Sequence, residues 1–486
     1  MSAARTARTL RVTDSIPNSS VDRRAWLSTP VQTQAAGRSL TPASGALKMT
    51  ACGFPGPVGR VCRMCDSVVA ARGETVGGVT LFGKNSDRKP GETQPFRLHP
   101  AAHHPPGARV RCTHIEIAQV AHTHRVMGHS PAWVWGYEHG VNAYGVAIGN
   151  HTVFSNEPLE EEPGLIGMDL VRLGLERGRN ARHALDVIVG LIEAHGQGGS
   201  ALAPDAAGYH NSFLIADPET AWILETSNRR HAARRVVAGS CSNHYALGSD
   251  WEIGSRDLES FARASGWWTS SEKLDVAAAF RNPHVPPRIS EGRQRATREW
   301  LARERGKHDV ASFQRLLRDH GAGGPIWTGR GATQDEERFF TVCAHSAPIH
   351  ETSASLVAEL PAERGVPWPV WISYATPCSG IFLPVYLDGA LPDRHARDDE
   401  HGAWHAFARL QAAVARDPER HTPEVRARFA PLEAWIERER LAVERAMRAA
   451  FTTEDRDRAG DLATDFMRRT LAAALAEVDA LASALR

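Results

Sequence analysis

No run of this chain approaches the roughly 20 continuous apolar residues that a membrane-spanning helix needs, and its first residues lack the apolar core of a secretory signal. Net charge is scarce too: the formal value is +1, so no global field gathers nucleic acid or an anionic membrane, and neither is expected as a partner. Cysteine is sparse, with seven in 486 residues at irregular spacings, which excludes a disulfide framework and points to a reducing, cytoplasmic setting. Metal signatures are missing: His114, His122, His124 and His129 show no His-Glu-x-x-His spacing, and Cys62-x-x-Cys65 has no second pair. The Gly196-Gln197-Gly198-Gly199 run lacks a strand before it and reads as a helix end, not a phosphate loop. No internal repeat is found, and neither a metal nor another cofactor is expected.

What remains is a globular composition, 42% hydrophobic and 23% charged, in a chain long enough for two or three domains. Residues 1–63 are rich in Ser, Thr, Pro, Ala and Arg, with acids only at Asp14 and Asp22, and show no sustained period. Residues 1–64 therefore read as a disordered leader, a propeptide, an organellar transit segment, or an upstream extension of a protein whose true start is Met64. A folded pattern begins immediately afterwards, at Cys65.

Ser67–Ala71 and Gly78–Gly83 read as strands, followed by a loop Lys84-Asn85-Ser86-Asp87-Arg88. Asn142–Asn150, Asn211–Asp217 and Ala221–Thr226 are strand-like, the last two joined as a hairpin by Asp217-Pro218-Glu219-Thr220. Amphipathic helices are predicted over about Gly164–Arg177, Ala181–His195, Glu291–Arg305 and Val310–Asp319, and strands over Phe339–His345, Ser353–Leu360 and Val370–Tyr374. Blocks of strands mixed with blocks of helices favour an α+β architecture over residues 65–392. Residues 393–486 turn to Ala, Arg and Glu and predict three helices, about Asp399–Arg416, Pro423–Ala450 and Asp455–Leu485. Their apolar faces call for burial against the body or against a sister subunit in a homo-oligomer.

Cys65 is the candidate nucleophile. A thiol attacks an amide carbonyl as its thiolate, and a free cysteine near pKa 8.5 needs a base or a cation beside it. Were Cys65 the first residue, its own α-amine, with a reference pKa of roughly 7.7–8.0, would take the thiol proton and return it to the leaving amine. Such a site also needs a carboxylate to orient the ammonium, for which Asp87 is placed, and a cation near sulfur, for which Lys84 or Arg88 is placed. Asn150, Asn211 and Asn243 are candidate oxyanion donors.

These residues sit in motifs that resemble the secernins and related bacterial cysteine dipeptidases, a branch of the N-terminal nucleophile hydrolases. The resemblance covers roughly residues 65–390 and is carried by Cys65-Asp66, Phe82-Gly83-Lys84-Asn85-Ser86-Asp87-Arg88, Pro131-Ala132-Trp133-Val134-Trp135-Gly136 and Gly145-Val146-Ala147-Ile148-Gly149-Asn150. It continues in the helix from Gly167-Met168-Asp169 to Leu175-Glu176-Arg177, in Tyr209-His210-Asn211-Ser212-Phe213, in Trp222-Ile223-Leu224-Glu225-Thr226 and in Thr376-Pro377-Cys378. It implies a four-layer αββα sandwich and cofactor-independent hydrolysis of a dipeptide or other small linear amide through a thioester. Carried over by motif, Cys65 is the nucleophile, Asp87 holds the terminal amine, Lys84 is the basic position, Asn150 (backbone) and Asn243 (side chain) meet the oxyanion, and Arg288 stands near the mouth. An acylase acting on N-acyl amino acids, or a non-catalytic regulatory relative, are the alternatives.

Overall fold

The computed structural model describes residues 64–200, 208–321, 331–363 and 365–485, so the leader expectation falls outside the described residues. Within them, two antiparallel sheets organise the chain. The first has seven strands and runs Ala238–Cys241, Cys65–Ala70, Thr80–Arg88, His350–Leu360, Val370–Tyr374, Leu383–Val385, with the short His345–Ser346 also paired to His350–Leu360. The second has eight and runs Ile253–Gly254, Arg230–Val236, Ala221–Ser227, His210–Ala216, Ala147–Val153, His139–Asn142, Val126–His129, Phe96–His99.

Alternation along each strand divides its side chains between two environments. In the second sheet, Ile148, Phe213 and Ile215 pack with Leu170, Leu173, Leu185 and Ile188 of the helices Gly167–Arg177 and Ala181–His195. Their neighbours Ala147, Leu214 and Ala216 share a core with Val69, Phe82 and Leu356 of the first sheet. In the first sheet, Val68, Leu81 and Val357 turn the other way, onto Trp300 and Phe313 of the helices Glu291–Arg303 and Val310–Leu317. The fold is thus mixed α and β, with both sheets buried on their facing sides.

Local signals explain the elements that match expectation. Asp217 Oδ1 accepts from the backbone N–H of both Glu219 and Thr220 at 2.7 Å, closing the turn between His210–Ala216 and Ala221–Ser227. The helix Ala181–His195 starts on Asn180, whose side chain accepts from His183 N–H, and stops at Gly196, whose φ of +69° suits a residue without Cβ.

Two expectations are corrected. Lys84–Arg88 is no loop: it is the second half of the strand Thr80–Arg88, buried at every position between Cys65–Ala70 and His350–Leu360. Its polar residues are tolerated because each charge meets a partner from elsewhere in the chain. Phe339–His345 is not a continuous strand, because Cys343 N–H donates to Asp319 O and Thr341 Oγ1 to Cys343 O, which takes this segment out of ladder geometry until His345.

The carboxy-terminal region is helical, as Ala403–Val414, Pro418–Thr452 and Arg456–Ala484. Phe407, Leu410, Phe429, Ile436, Phe466 and Leu475 join the same core as Ile372, Leu383 and Tyr386, so this apolar face is covered by the chain's own first sheet. No helix among the described residues is long and apolar enough to cross a membrane.

Candidate active site

Cys65 begins a central strand of the first sheet, with Ser86 opposite it, and its side chain lies on the face turned toward the second sheet. Burial is nearly complete, at 4% exposure. The Cys65 N–H donates to Asn243 Oδ1 at 2.9 Å, and its Sγ lies 3.9 Å from Glu138 Oε2. Glu138 reaches in from just before the strand His139–Asn142 of the opposite sheet.

Glu138 links this sulfur to a buried network of charges. Glu138 Oε2 lies 3.6 Å from Lys84 Nζ, and Glu138 Oε1 accepts from Arg88 Nη1 at 2.8 Å, while Arg88 also pairs with Glu92. Lys84 and Arg88 are both fully buried, and Lys84 Nζ finds no acceptor at hydrogen-bond distance. Burial pushes the Cys65 thiol up to about 11; Lys84 pulls it back down, and Glu138 and Asp87 push it further up. With Met64 attached, the Cys65 nitrogen is an amide and not a base, so in this state the sulfur is a protonated thiol.

A second charged group lies beside the Cys65 nitrogen. Arg293, from the helix Glu291–Arg303, pairs with Asp66, donates through Nη2 to Asn243 Oδ1 at 2.8 Å and stands 4.0 Å from Asp87 Oδ2. Asn243 in turn donates through Nδ2 to Thr152 O at 2.9 Å. One amide oxygen therefore receives both the Cys65 N–H and a guanidinium proton.

Strand parity separates residues that adjacency had placed together. Lys84 and Arg88 turn to the Glu138 side, whereas Asp87 turns to the Arg293 side, where its Oδ1 accepts from Thr352 Oγ1 at 2.7 Å. The Asp87 N–H donates to Met64 O at 2.9 Å, and burial pushes its carboxyl up to about 8, with Arg293 opposing. The Asn150 N–H donates to Glu138 O at 3.3 Å, and Asn150 Nδ2 donates to Asn211 Oδ1 at 3.1 Å. Arg288 holds Gln334 O and Asp335 Oδ1, both at 2.9 Å, and is half-buried.

Sequence reasoning missed Glu138 and Arg293, which tie the site's charges together. Glu138 lies two residues after the Trp-rich motif ending at Gly136, and Arg293 five after Arg288, but nothing local marks either as a partner of a strand so distant in the chain. It also missed the pocket around Met64, which is 1% exposed and packed with Val285, Ile289, Phe339, Phe340 and Ile349. Of the four histidines without a metal spacing, His124 and His129 are buried, and His129 Nδ1 lies 2.9 Å from His139 Nε2. The group of metal-ligating side chains among the described residues lies elsewhere, at His320, Cys343, His345 and Cys378.

No protein-family model matches the chain. Among solved structures, it is similar to a mutant conjugated bile acid hydrolase from Clostridium perfringens, at 10% identity and a TM-score of 0.36 over 64% of this chain and 89% of that one. Penicillin V acylase from Agrobacterium tumefaciens gives 12% and 0.39 over 66% and 86%. The Caenorhabditis elegans ortholog of N-acylethanolamine-hydrolyzing acid amidase gives 11% and 0.27 over 62% and 94%. Likenesses this distant carry no functional argument, which rests on the residues themselves.

Proposed function

We propose that this chain is a cysteine-type N-terminal nucleophile hydrolase that cleaves dipeptides or other small linear amides once Cys65 is its first residue. The observation that carries the reading is the pairing at Cys65: its sulfur lies on the Lys84–Glu138 side of a buried central strand, and its nitrogen sits on Asn243 Oδ1 beside Arg293. The sheets and the helices packed on them read as the four-layer αββα sandwich of such enzymes.

Freed of Met64, the Cys65 α-amine takes the thiol proton, with Asn243 Oδ1 orienting it, and Lys84 favours the thiolate that results. The sulfur adds to the substrate carbonyl, whose oxygen takes up the negative charge. The second Nδ2 proton of Asn243 and the unfilled N–H donors of Lys84 are the groups available to it, whereas the Asn150 N–H is engaged by Glu138 O and serves only if that contact opens. Collapse expels the leaving amine with the proton from the α-ammonium and leaves a thioester, and water activated by the same amine releases the acid. Asp87 orients this nitrogen across Arg293, in place of direct contact with it.

The apolar walls around Met64 favour a second reading, an acylase on N-acyl amino acids, because loss of Met64 leaves an apolar recess next to the nucleophile. The test is intact mass and amino-terminal sequencing of protein made from its own gene, followed by dipeptide and N-acyl amino acid panels with Cys65→Ala as control. A chain starting at Cys65 with activity lost in Cys65→Ala supports the proposal. A Cys65-terminal chain that leaves both panels untouched sinks it.

A further inference from the structure

Beyond the nucleophile, His320, Cys343, His345 and Cys378 point their donor atoms at one small volume, all within 4.8 Å of one another. His345 Nε2 lies 3.1 Å from His320 Nε2, 3.3 Å from Cys378 Sγ and 3.6 Å from Cys343 Sγ. A tetrahedral zinc ion with bonds of about 2.0–2.1 Å to nitrogen and about 2.3 Å to sulfur sets its donors about 3.3–3.8 Å apart. Two of the three spacings fall within that range and the nitrogen–nitrogen one lies just below it. Three of the four residues are buried and the fourth is half-buried.

We propose that these four side chains form a structural transition-metal site, occupied by zinc, that fastens the start of the strand His350–Leu360 in the first sheet. Two imidazole nitrogens and two sulfurs converge on one small volume, and a single cation placed there meets a donor atom from each of the four. Two thiolates and two imidazoles suit zinc and select against calcium or magnesium, which take oxygen. Four protein ligands complete the tetrahedron, so the ion has no open position for substrate and its role is structural. Glu351, paired in register with His345 across the strands, supplies a carboxylate neighbour outside the ligand shell.

Three separate segments meet here: the turn after Val310–Leu317, the Cys343–His345 stretch and the turn after Val370–Tyr374. They are already cross-linked by Cys343 N–H to Asp319 O and by Arg318 Nε to Pro377 O, both at 2.9 Å. Ala344, between two ligands, donates its N–H to Thr352 Oγ1 at 2.8 Å, and Thr352 Oγ1 donates to Asp87 Oδ1 at 2.7 Å. Metal binding therefore stiffens the support of Asp87 without touching Cys65, and the proposal stands whether or not the hydrolase reading does.

The test is elemental analysis of the full chain purified without chelator, with Cys343→Ser/Cys378→Ser and His345→Gln as variants. Stoichiometric zinc in the wild type that falls roughly tenfold or more in the variants supports the site. Because the variants can fail to fold, cobalt(II) is also added to chelator-stripped wild type, where tetrahedral d–d bands with thiolate charge transfer are expected. A wild type that carries no zinc and gives no thiolate–cobalt spectrum overturns the proposal. So does full zinc retention in the folded double variant, or a Cys343–Cys378 disulfide in freshly isolated protein.

Discussion

Glu138→Gln keeps the shape of the side chain that joins the two buried cations and removes only its charge. In the wild type, the carboxylate is 3.6 Å from Lys84 Nζ and 2.8 Å from Arg88 Nη1. At an effective dielectric constant of about 20, the Lys84 attraction alone is worth about 4–5 kcal/mol. That agrees with the roughly 3–5 kcal/mol lost when one member of a buried ion pair is deleted. Arg88 keeps Glu92, whereas Lys84 loses the carboxylate it pairs with and stays buried. Urea unfolding followed by tryptophan fluorescence should therefore show a lower midpoint and a loss of about 3–5 kcal/mol at pH 7. Adding Lys84→Met should restore a large part of that loss, since the double variant no longer buries an uncompensated ammonium. A single-variant loss below about 1 kcal/mol, or a double variant weaker than Glu138→Gln, would refute the electrostatic account.

The other predictions address titration and packing. Burial raises the Glu225 carboxyl to about 7, while Ala246 and Leu247 N–H oppose the shift, so the folded chain holds this proton more tightly than the unfolded one. Its contribution is fully present below the unfolded value near 4.5 and is lost as pH rises through about 7, amounting to about 3 kcal/mol. Glu225→Gln should flatten that limb of the stability–pH curve, and an unchanged slope would discard the assignment. At Gly149, an added Cβ would stand 2.4 Å from Lys84 Cδ and 3.0 Å from Cε. Gly149→Ala should displace Lys84, cost about 1–3 kcal/mol and slow iodoacetamide labelling of Cys65 at pH 8; unchanged labelling would show that Lys84 does not govern the thiol.

What was legible in the sequence was what is settled locally. Asp217 closes its own turn, and Asn180 and Gly196 delimit their own helix, so the hairpin and the helix could be read from a few adjacent residues. Cys65 is a candidate on the same local ground, because a thiol at a chain's first position would carry its own base. The polar run Lys84–Arg88 looked like a loop because the charge that buries it, Glu138, lies fifty positions away from Arg88. Arg293 is separated from Asp66 by 227 positions, and the proposed zinc ligands have no motif spacing, since Cys343-x-His345 is the only close pair among them. Such partners become visible only when the sheets have brought distant segments together.

The depth at which Met64 is seated decides who can process this protein. The Met64–Cys65 peptide bond has nearly unexposed residues on both sides, its carbonyl oxygen is held by Asp87 N–H, and its downstream half is a central strand. A protease must draw several residues of extended chain into its own cleft, and a bond at the head of a strand paired on both sides cannot be lent to it without pulling that strand from the sheet. On the proposed function, the step that frees Cys65 therefore belongs before this strand is laid into its sheet.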